Sequence, residues 1–300
     1  MPRTGCVGRC AVRSIRHPGF VRPPRLLVAA LVVLLAGGVA ACNGRGNADD
    51  RGIPTTSAAP TGAAPQTRAL PVYYAADTSA GTRLHREFHA VALDDPGTTA
   101  VREMLGAPAI DADYRTLWPT GVTPRGPVTH DGGEIVVDLT GIGRAPTSKA
   151  VATLALQQLV YTVQGALQST DPVRVLVDGQ RADQLWGLAD ISAPVTRAEQ
   201  TSVRSLVQID SPADGATVGR EVVVTGEAAV FEATLPWQVR QGDSVVREGF
   251  ATTAEGQRFS PYRFTVTLEP GDYELVVTED DPSGGAGRAP MADTKRISVR

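Results

Sequence analysis

Nucleophiles, metal ligands and proton carriers are sparse in this 300-residue chain. Of its three cysteines, Cys6 and Cys10 sit in an arginine-rich N-terminal stretch without further ligand-type neighbours, so they read as incidental. The third, Cys42, follows the small residues Val39, Ala40 and Ala41. Beyond it lie three histidines, His85, His89 and His130. The spacings His-Glu-x-x-His, Gly-x-Ser-x-Gly, Ser-x-x-Lys and the phosphate-cradling glycine loop are absent. Two carboxylates could meet in space to cleave a glycan, but no spacing singles out a pair. Glu279-Asp280-Asp281 offers three adjacent acids, whereas calcium takes six to eight spaced oxygen ligands; a solvated loop is the expectation. The chain is therefore expected to be no enzyme and to carry neither metal nor cofactor.

Some residues could bind without reacting. Arg83 and Arg86, with His85 and His89, make a polar edge in one segment. It reads either as an anion or partner site or as a solvated strand face, and the second is expected. Gln157-Gln158 lie among leucines in a helical pattern. An unsatisfied buried amide costs about 1–3 kcal/mol, so at least one should reach solvent or a backbone partner. Trp118 and Trp237 could stack on a sugar, although three tryptophans spread over the chain (with Trp186) more readily read as core.

Cys42 is set apart by what precedes it. An apolar run from Leu26 to Ala41 follows Arg3, Arg9, Arg13, Arg16, Arg22 and Arg25, with no acid among them. It is shorter than the roughly 20 apolar residues a spanning helix needs. Positive charges, an apolar core and a small-residue end make an export signal. Val39-Ala40-Ala41-Cys42 resembles the bacterial lipobox, whose cysteine is acylated and becomes the new N-terminus. The expectation is a signal peptide over 1–41 and a lipid anchor at Cys42, placing the protein at the membrane on its extracytoplasmic side. Removing six arginines takes the formal net charge from −3 to −9, and an acidic chain argues against nucleic acid as a partner.

Residues 42–70 hold almost no large apolar residue and cannot bury enough surface to offset their ordering entropy. They read as a disordered tether with a root-mean-square span of roughly 30 Å. Behind it come two domains. In the first, 71–195, strand signals stand at Val72–Ala75, Arg83–Leu93, Glu134–Leu139 and Val173–Val177. A helix follows Asp95, and a longer one is capped by Ser148 and striped by Val151, Leu154, Ala155, Leu159, Val163, Ala166 and Leu167. The order ββαβαβ predicts an α+β fold, a small mixed sheet packed by two helices, able to fold alone. A polar connector, 196–205, leads to 206–300. There about seven short strands separated by turns predict an immunoglobulin-like β-sandwich, with Val224, Val239, Phe264, Val266, Leu275 and Val277 in its core.

Six stretches carry a family resemblance: VYYAAD (Val72 to Asp77), RLHRE (Arg83 to Glu87), YRTLWPTGV (Tyr114 to Val122), IVVDLT (Ile135 to Thr140), LALQQLVYTV (Leu154 to Val163) and VRVLVDG (Val173 to Gly179). In this order they resemble the GerMN domain of spore-germination and sporulation lipoproteins and of actinobacterial envelope lipoproteins. IDSPADGATV (Ile209 to Val218), VTGEAAVFEATL (Val224 to Leu235), PYRFTVTL (Pro261 to Leu268) and PGDYELVV (Pro270 to Val277) resemble the immunoglobulin-like domain appended to it. The resemblance implies a non-enzymatic envelope protein that assembles with another envelope protein or with itself. A peptidoglycan- or ligand-binding module is the alternative, and a cell-wall hydrolase a distant third.

Overall fold

In the computed structural model, residues 67–92, 95–144 and 146–300 are described. The expected signal peptide, Cys42 and the tether up to residue 66 lie outside the described residues. The last four residues expected in the tether do not belong to it. Thr67–Leu70 open the first strand, and Leu70 is buried beside Ala100 and Ala166.

The first module runs β1 (Thr67–Thr78), β2 (Gly81–Ala92), α1 (Pro96–Gly106), β3 (Thr123–Pro124), β4 (Thr129–Asp131), β5 (Glu134–Thr140), α2 (Lys149–Leu167), β6 (Val173–Val177), β7 (Gln184–Leu185) and β8 (Ala189–Asp190). β1 and β2 form one long antiparallel hairpin, Thr67 opposite Ala92 and Thr78 opposite Gly81. Its turn is closed by Thr78, whose hydroxyl donates to the Gly81 carbonyl at 2.7 Å and accepts from the Ala80 N–H at 3.1 Å. Asp95 caps α1 by accepting from the Thr98 N–H at 3.2 Å, and Pro96 opens the helix where no donor is needed.

β5 alternates as predicted, burying Ile135, Val137 and Leu139. It pairs in parallel with β6 and antiparallel with the short β3 and β4. α2 is the crossover between the two parallel strands. The strands expected in one sheet therefore fall into two, a hairpin and a four-stranded mixed sheet, while β7 and β8 pair as a third. A bridge from Ala75 to Arg115 ties the hairpin to the loop before β3.

The Ser148 hydroxyl accepts from the Val151 N–H at 3.3 Å, as the cap predicts. However, α2 is not the one-striped helix its apolar pattern suggests. Every residue from Ala155 to Gln164 is buried, because α2 packs against α1, β1 and β8 together. Its apolar face joins Val72, Tyr74, Val101, Met104, Ile135, Val137 and Val175 in one core. Its other face is polar and equally covered.

A short helix, α3 (Gln200–Val203), leads to the second module. That module comprises β9 (Val207–Ser211), β10 (Ala216–Val218), β11 (Glu221–Ala228), β12 (Thr234–Gln241), β13 (Ser244–Thr252), β14 (Ser260–Thr267), β15 (Gly271–Thr278) and β16 (Ala292–Val299). Sheets of order β10-β16-β15-β12-β13 and β14-β11-β9 face each other. Between them lie all six predicted core residues, with Ile209, Leu235, Tyr262 and Ile297. A bulge in β11 at Gly226 lets the Gln208 carbonyl come so close that an added Cβ would stand 2.0 Å from it. No helix among the described residues is long and apolar enough to cross a membrane.

Candidate functional site

The most chemically loaded region lies where the two modules meet. Both belong to one compact unit. β2 supplies His85, Arg86 and Glu87, the loop after α1 supplies Asp111 and Tyr114, and the chain after α3 supplies Arg204. The sandwich supplies Gln208 and Asp210 from β9, Glu227 from β11, and Asp293 and Lys295 from β16.

At its centre is the Lys295 ammonium. It donates to Asp111 Oδ2 at 2.5 Å, to the Tyr114 hydroxyl at 2.7 Å and to Asp293 Oδ1 at 3.2 Å. The Tyr114 hydroxyl in turn donates to Asp293 Oδ1 at 2.6 Å, and Asp293 Oδ2 accepts from the Ile209 N–H at 2.6 Å. Lys295 and the two carboxylates are nearly inaccessible to solvent. Burial opposes the lysine's charge, but Asp293 and Asp111 outweigh it and hold its pKa above the ordinary value. Burial raises the Tyr114 phenol well above its usual range, and Asp293 reinforces the effect.

Beside this cluster sits a second. Arg86 grips Asp210 with two bonds, Nη2 to Oδ2 at 2.6 Å and Nε to Oδ1 at 3.2 Å, and reaches Glu227 at 3.2 Å. Arg204 donates to Glu227 at 2.8 Å and to Gln208 at 3.1 Å, with its guanidinium 3.9 Å over the Phe259 ring. Burial raises the Glu227 carboxyl, but the two guanidiniums overcome it and hold its pKa below the usual glutamate range. Fork-shaped arginine pairs of this kind fix geometry as well as charge.

Two histidines of β2 have opposite surroundings. His89 lies between Glu103 at 3.0 Å and Glu87 at 3.3 Å. Burial works against its proton, yet the two carboxylates raise its pKa. His85 packs against Tyr114 with ring centroids 4.6 Å apart and planes tilted by 35°, and neither ring nitrogen has a hydrogen-bond partner among the described residues. Burial drives its pKa down to about 4.

These contacts revise the expectation of a solvated strand face at Arg83, His85, Arg86 and His89. His85, Glu87 and His89 are buried, Arg86 is spent on the sandwich, and Phe88 instead faces outward. Arg83 lies apart, near the start of α2. The polar connector is structured too, and Arg204 within it is 2% exposed.

The glutamines are not an outward-facing surface either. Gln157 donates to the Thr196 carbonyl at 3.1 Å and accepts from the Ala198 N–H at 2.8 Å. Gln158 donates to the Tyr73 carbonyl at 2.8 Å and accepts from the Leu117 N–H at 3.0 Å. Both carboxamides satisfy backbone groups of loops or of the open edge of β1. Gln158→Leu is expected to lower stability by about 1–3 kcal/mol through the two orphaned backbone groups. Denaturant titration measures it, and an unchanged midpoint would show that the bonds are dispensable.

Trp118 is buried and donates to the Ala155 carbonyl at 2.9 Å, its ring 5.0 Å from Trp186. Trp237 stacks on Phe264 at 4.6 Å in the sandwich core. Neither ring offers a free platform for a sugar. Glu279 is also buried; it pairs with Arg288 and accepts from the Met291 N–H at 2.8 Å. No group of three metal-ligand side chains occurs among the described residues.

The junction went unread in the sequence because its charges lie on core-facing strand positions. In β16, Asp293 and Lys295 share the buried parity of Ile297 and Val299. Lys295 is also one of only two lysines in an arginine-rich chain. A strand carried back from Arg296 to Ala292 would have exposed this signal.

Residues 71–183 match the Germane family, described as "Sporulation and spore germination". Residues 206–286 match the Gmad2 family, the "Immunoglobulin-like domain of bacterial spore germination". No curated protein matches. Among solved structures, the chain is similar to the tandem GerMN domains of the sporulation protein GerM from Bacillus subtilis. The identity is 21%, with 51% of this chain and 51% of that one covered and a TM-score of 0.38. The chain thus spans about half the length of that structure. It is also similar to a putative lipoprotein from Clostridium perfringens, at 16% identity, 46% and 93% coverage and a TM-score of 0.32. A third likeness is to the fibronectin(III)-like modules of Clostridium thermocellum CbhA, at 20% identity, 31% and 93% coverage and a TM-score of 0.23. The chain carries a sporulation and spore germination domain of the Germane family, followed by an immunoglobulin-like domain of the Gmad2 family.

Proposed function

We propose that this protein is a lipid-anchored, extracytoplasmic assembly module whose two domains act as one rigid body. The observation that carries this reading is the buried Lys295–Asp111–Asp293–Tyr114 cluster, which spans both modules. Flexibly linked modules would have wet, screened charges at their boundary. Here the charges are sealed, so a partner would meet a single shape of fixed geometry. The sporulation and germination description of both families supports a non-catalytic role.

In this reading Cys42 carries the lipid, and the tether sets the working distance of the folded part. Anchoring confines the module near the membrane and raises its effective concentration for a membrane-bound partner, or for another copy, by the length of the tether. The acidic composition beyond Cys42 keeps nucleic acid out of the account.

In-cell crosslinking followed by identification of the attached protein tests the assembly role. Recovery of a defined envelope protein, or of a second copy, is expected; recovery of the monomer alone would count against it. Cys42→Ser is expected to move the protein from the membrane fraction to the soluble fraction. Retention at the membrane in that variant would exclude the lipid anchor.

A further inference from the structure

We propose that a cavity beside Arg83 is a binding site for a small apolar monoanion, a carboxylate carried on a hydrocarbon body. The cavity, about 550 Å³, opens between the start of β2, the first turns of α2 and the segment around α3. Its volume falls in the range of small-molecule sites. Val151, Leu154 and Val203 provide much of its wall. No acidic residue lines it, although the chain beyond Cys42 is acidic overall.

Arg83 supplies the charge. Its Nη1 donates only to the carbonyl of its neighbour Thr82, at 3.1 Å, and its buried Nε has no partner among the described residues. No ion pair to Arg83 occurs among them, in contrast to Arg86 three positions on. A guanidinium held against apolar walls without a counter-ion complements one anionic head group.

Most other polar groups of the lining are already engaged. The Thr82 hydroxyl is spent on Asp77 at 2.7 Å, and that of Ser202 on the Glu199 carbonyl at 2.7 Å. Both ends of the Gln157 carboxamide are engaged by the connector backbone. A hydrocarbon body asks nothing of these groups, and its anionic head is complemented by the arginine.

Calorimetric titration of the full chain with sodium octanoate, below its micelle concentration, tests the assignment. Saturable binding is expected, with 1-octanol at least tenfold weaker because it lacks the charge. Arg83→Gln is expected to weaken octanoate at least tenfold with an unchanged melting temperature. Val203→Trp, which fills the cavity and keeps the arginine in the sequence, is expected to abolish binding. No saturable binding to the wild type, equal affinity for octanol, or full affinity in Arg83→Gln would each overturn the proposal. Tighter binding of a short peptide with a C-terminal leucine than of octanoate would also overturn it, in favour of a polypeptide ligand. The site does not depend on the assembly role, so failure of the crosslinking experiment would leave this result standing.

Discussion

Lys295→Met is expected to destabilise the folded unit by about 3–5 kcal/mol, the cost of stranding buried charge when one partner of a buried pair is removed. Methionine keeps most of the apolar length of lysine, so the loss isolates the ammonium. Without it, Asp111 and Asp293 are left as buried carboxylates, and the Tyr114 hydroxyl loses a donor. Urea unfolding of wild type and variant measures the effect. Pairing Lys295→Met with Asp111→Asn should cost less than the two single changes added together, because each removes the same attraction. A loss below about 1 kcal/mol, the range of exposed ion pairs, would mean that the junction is wet and the modules are not locked. The same cluster bears on the expectation that the first domain folds alone. Cut away from the sandwich, it would lose Lys295 from Asp111, Asp293 from Tyr114 and Asp210 from Arg86.

The second prediction concerns acid. His85 is buried without a hydrogen bond to either ring nitrogen. The groups around it are Asp293, Lys295, Arg204 and Glu87, with the Tyr114 ring packed against it. Its pKa falls from 6.5 in the unfolded chain to about 4 in the folded one. A depressed folded pKa means that the unfolded chain takes up the proton first. The contribution is therefore fully present above pH 6.5 and is lost progressively as pH falls toward about 4. Over that window the loss is about 3 kcal/mol, at about 1.4 kcal/mol for each tenfold difference in proton affinity between the two states. His89 acts with the opposite sign. Its raised pKa adds stability below the unfolded value, which is lost as pH rises through the folded one. His85→Phe cancels the His89 contribution in the difference from wild type. That difference should grow in favour of phenylalanine by about 3 kcal/mol between pH 7 and pH 4. A difference independent of pH would place His85 in contact with water.

Much of the fold was legible because hydrophobic period and caps are local signals. Ile135, Val137 and Leu139 alternate in β5, Ser148 caps α2, and the six apolar residues named for the sandwich core meet there. The loaded residues were misread for one common reason. A polar side chain on a buried face looks, in sequence, the same as one on a wet face. His85 and His89 suggested a solvated face, whereas the backbone partner expected for at least one of Gln157 and Gln158 is found for both. His85 is instead covered by Tyr114 and the sandwich, His89 is held by Glu103 of α1, and both glutamines hold backbone groups 39 or more residues away.

By itself the sequence determined the main strands and the two long helices, most of the apolar faces and the two family resemblances, because these follow from neighbours within a few positions along the chain. The Val39-Ala40-Ala41-Cys42 reading belongs to the same level and rests on sequence alone. Only the tertiary structure decided that Asp293 and Lys295, on the core side of β16, would meet Asp111 and Tyr114 of the other module. It also left Arg83 facing a cavity while Arg86 closed on Asp210. Whether a charge is buried and paired depends on what stands opposite it in space, and for Arg86–Asp210 and Lys295–Asp111 those partners lie more than 100 residues apart.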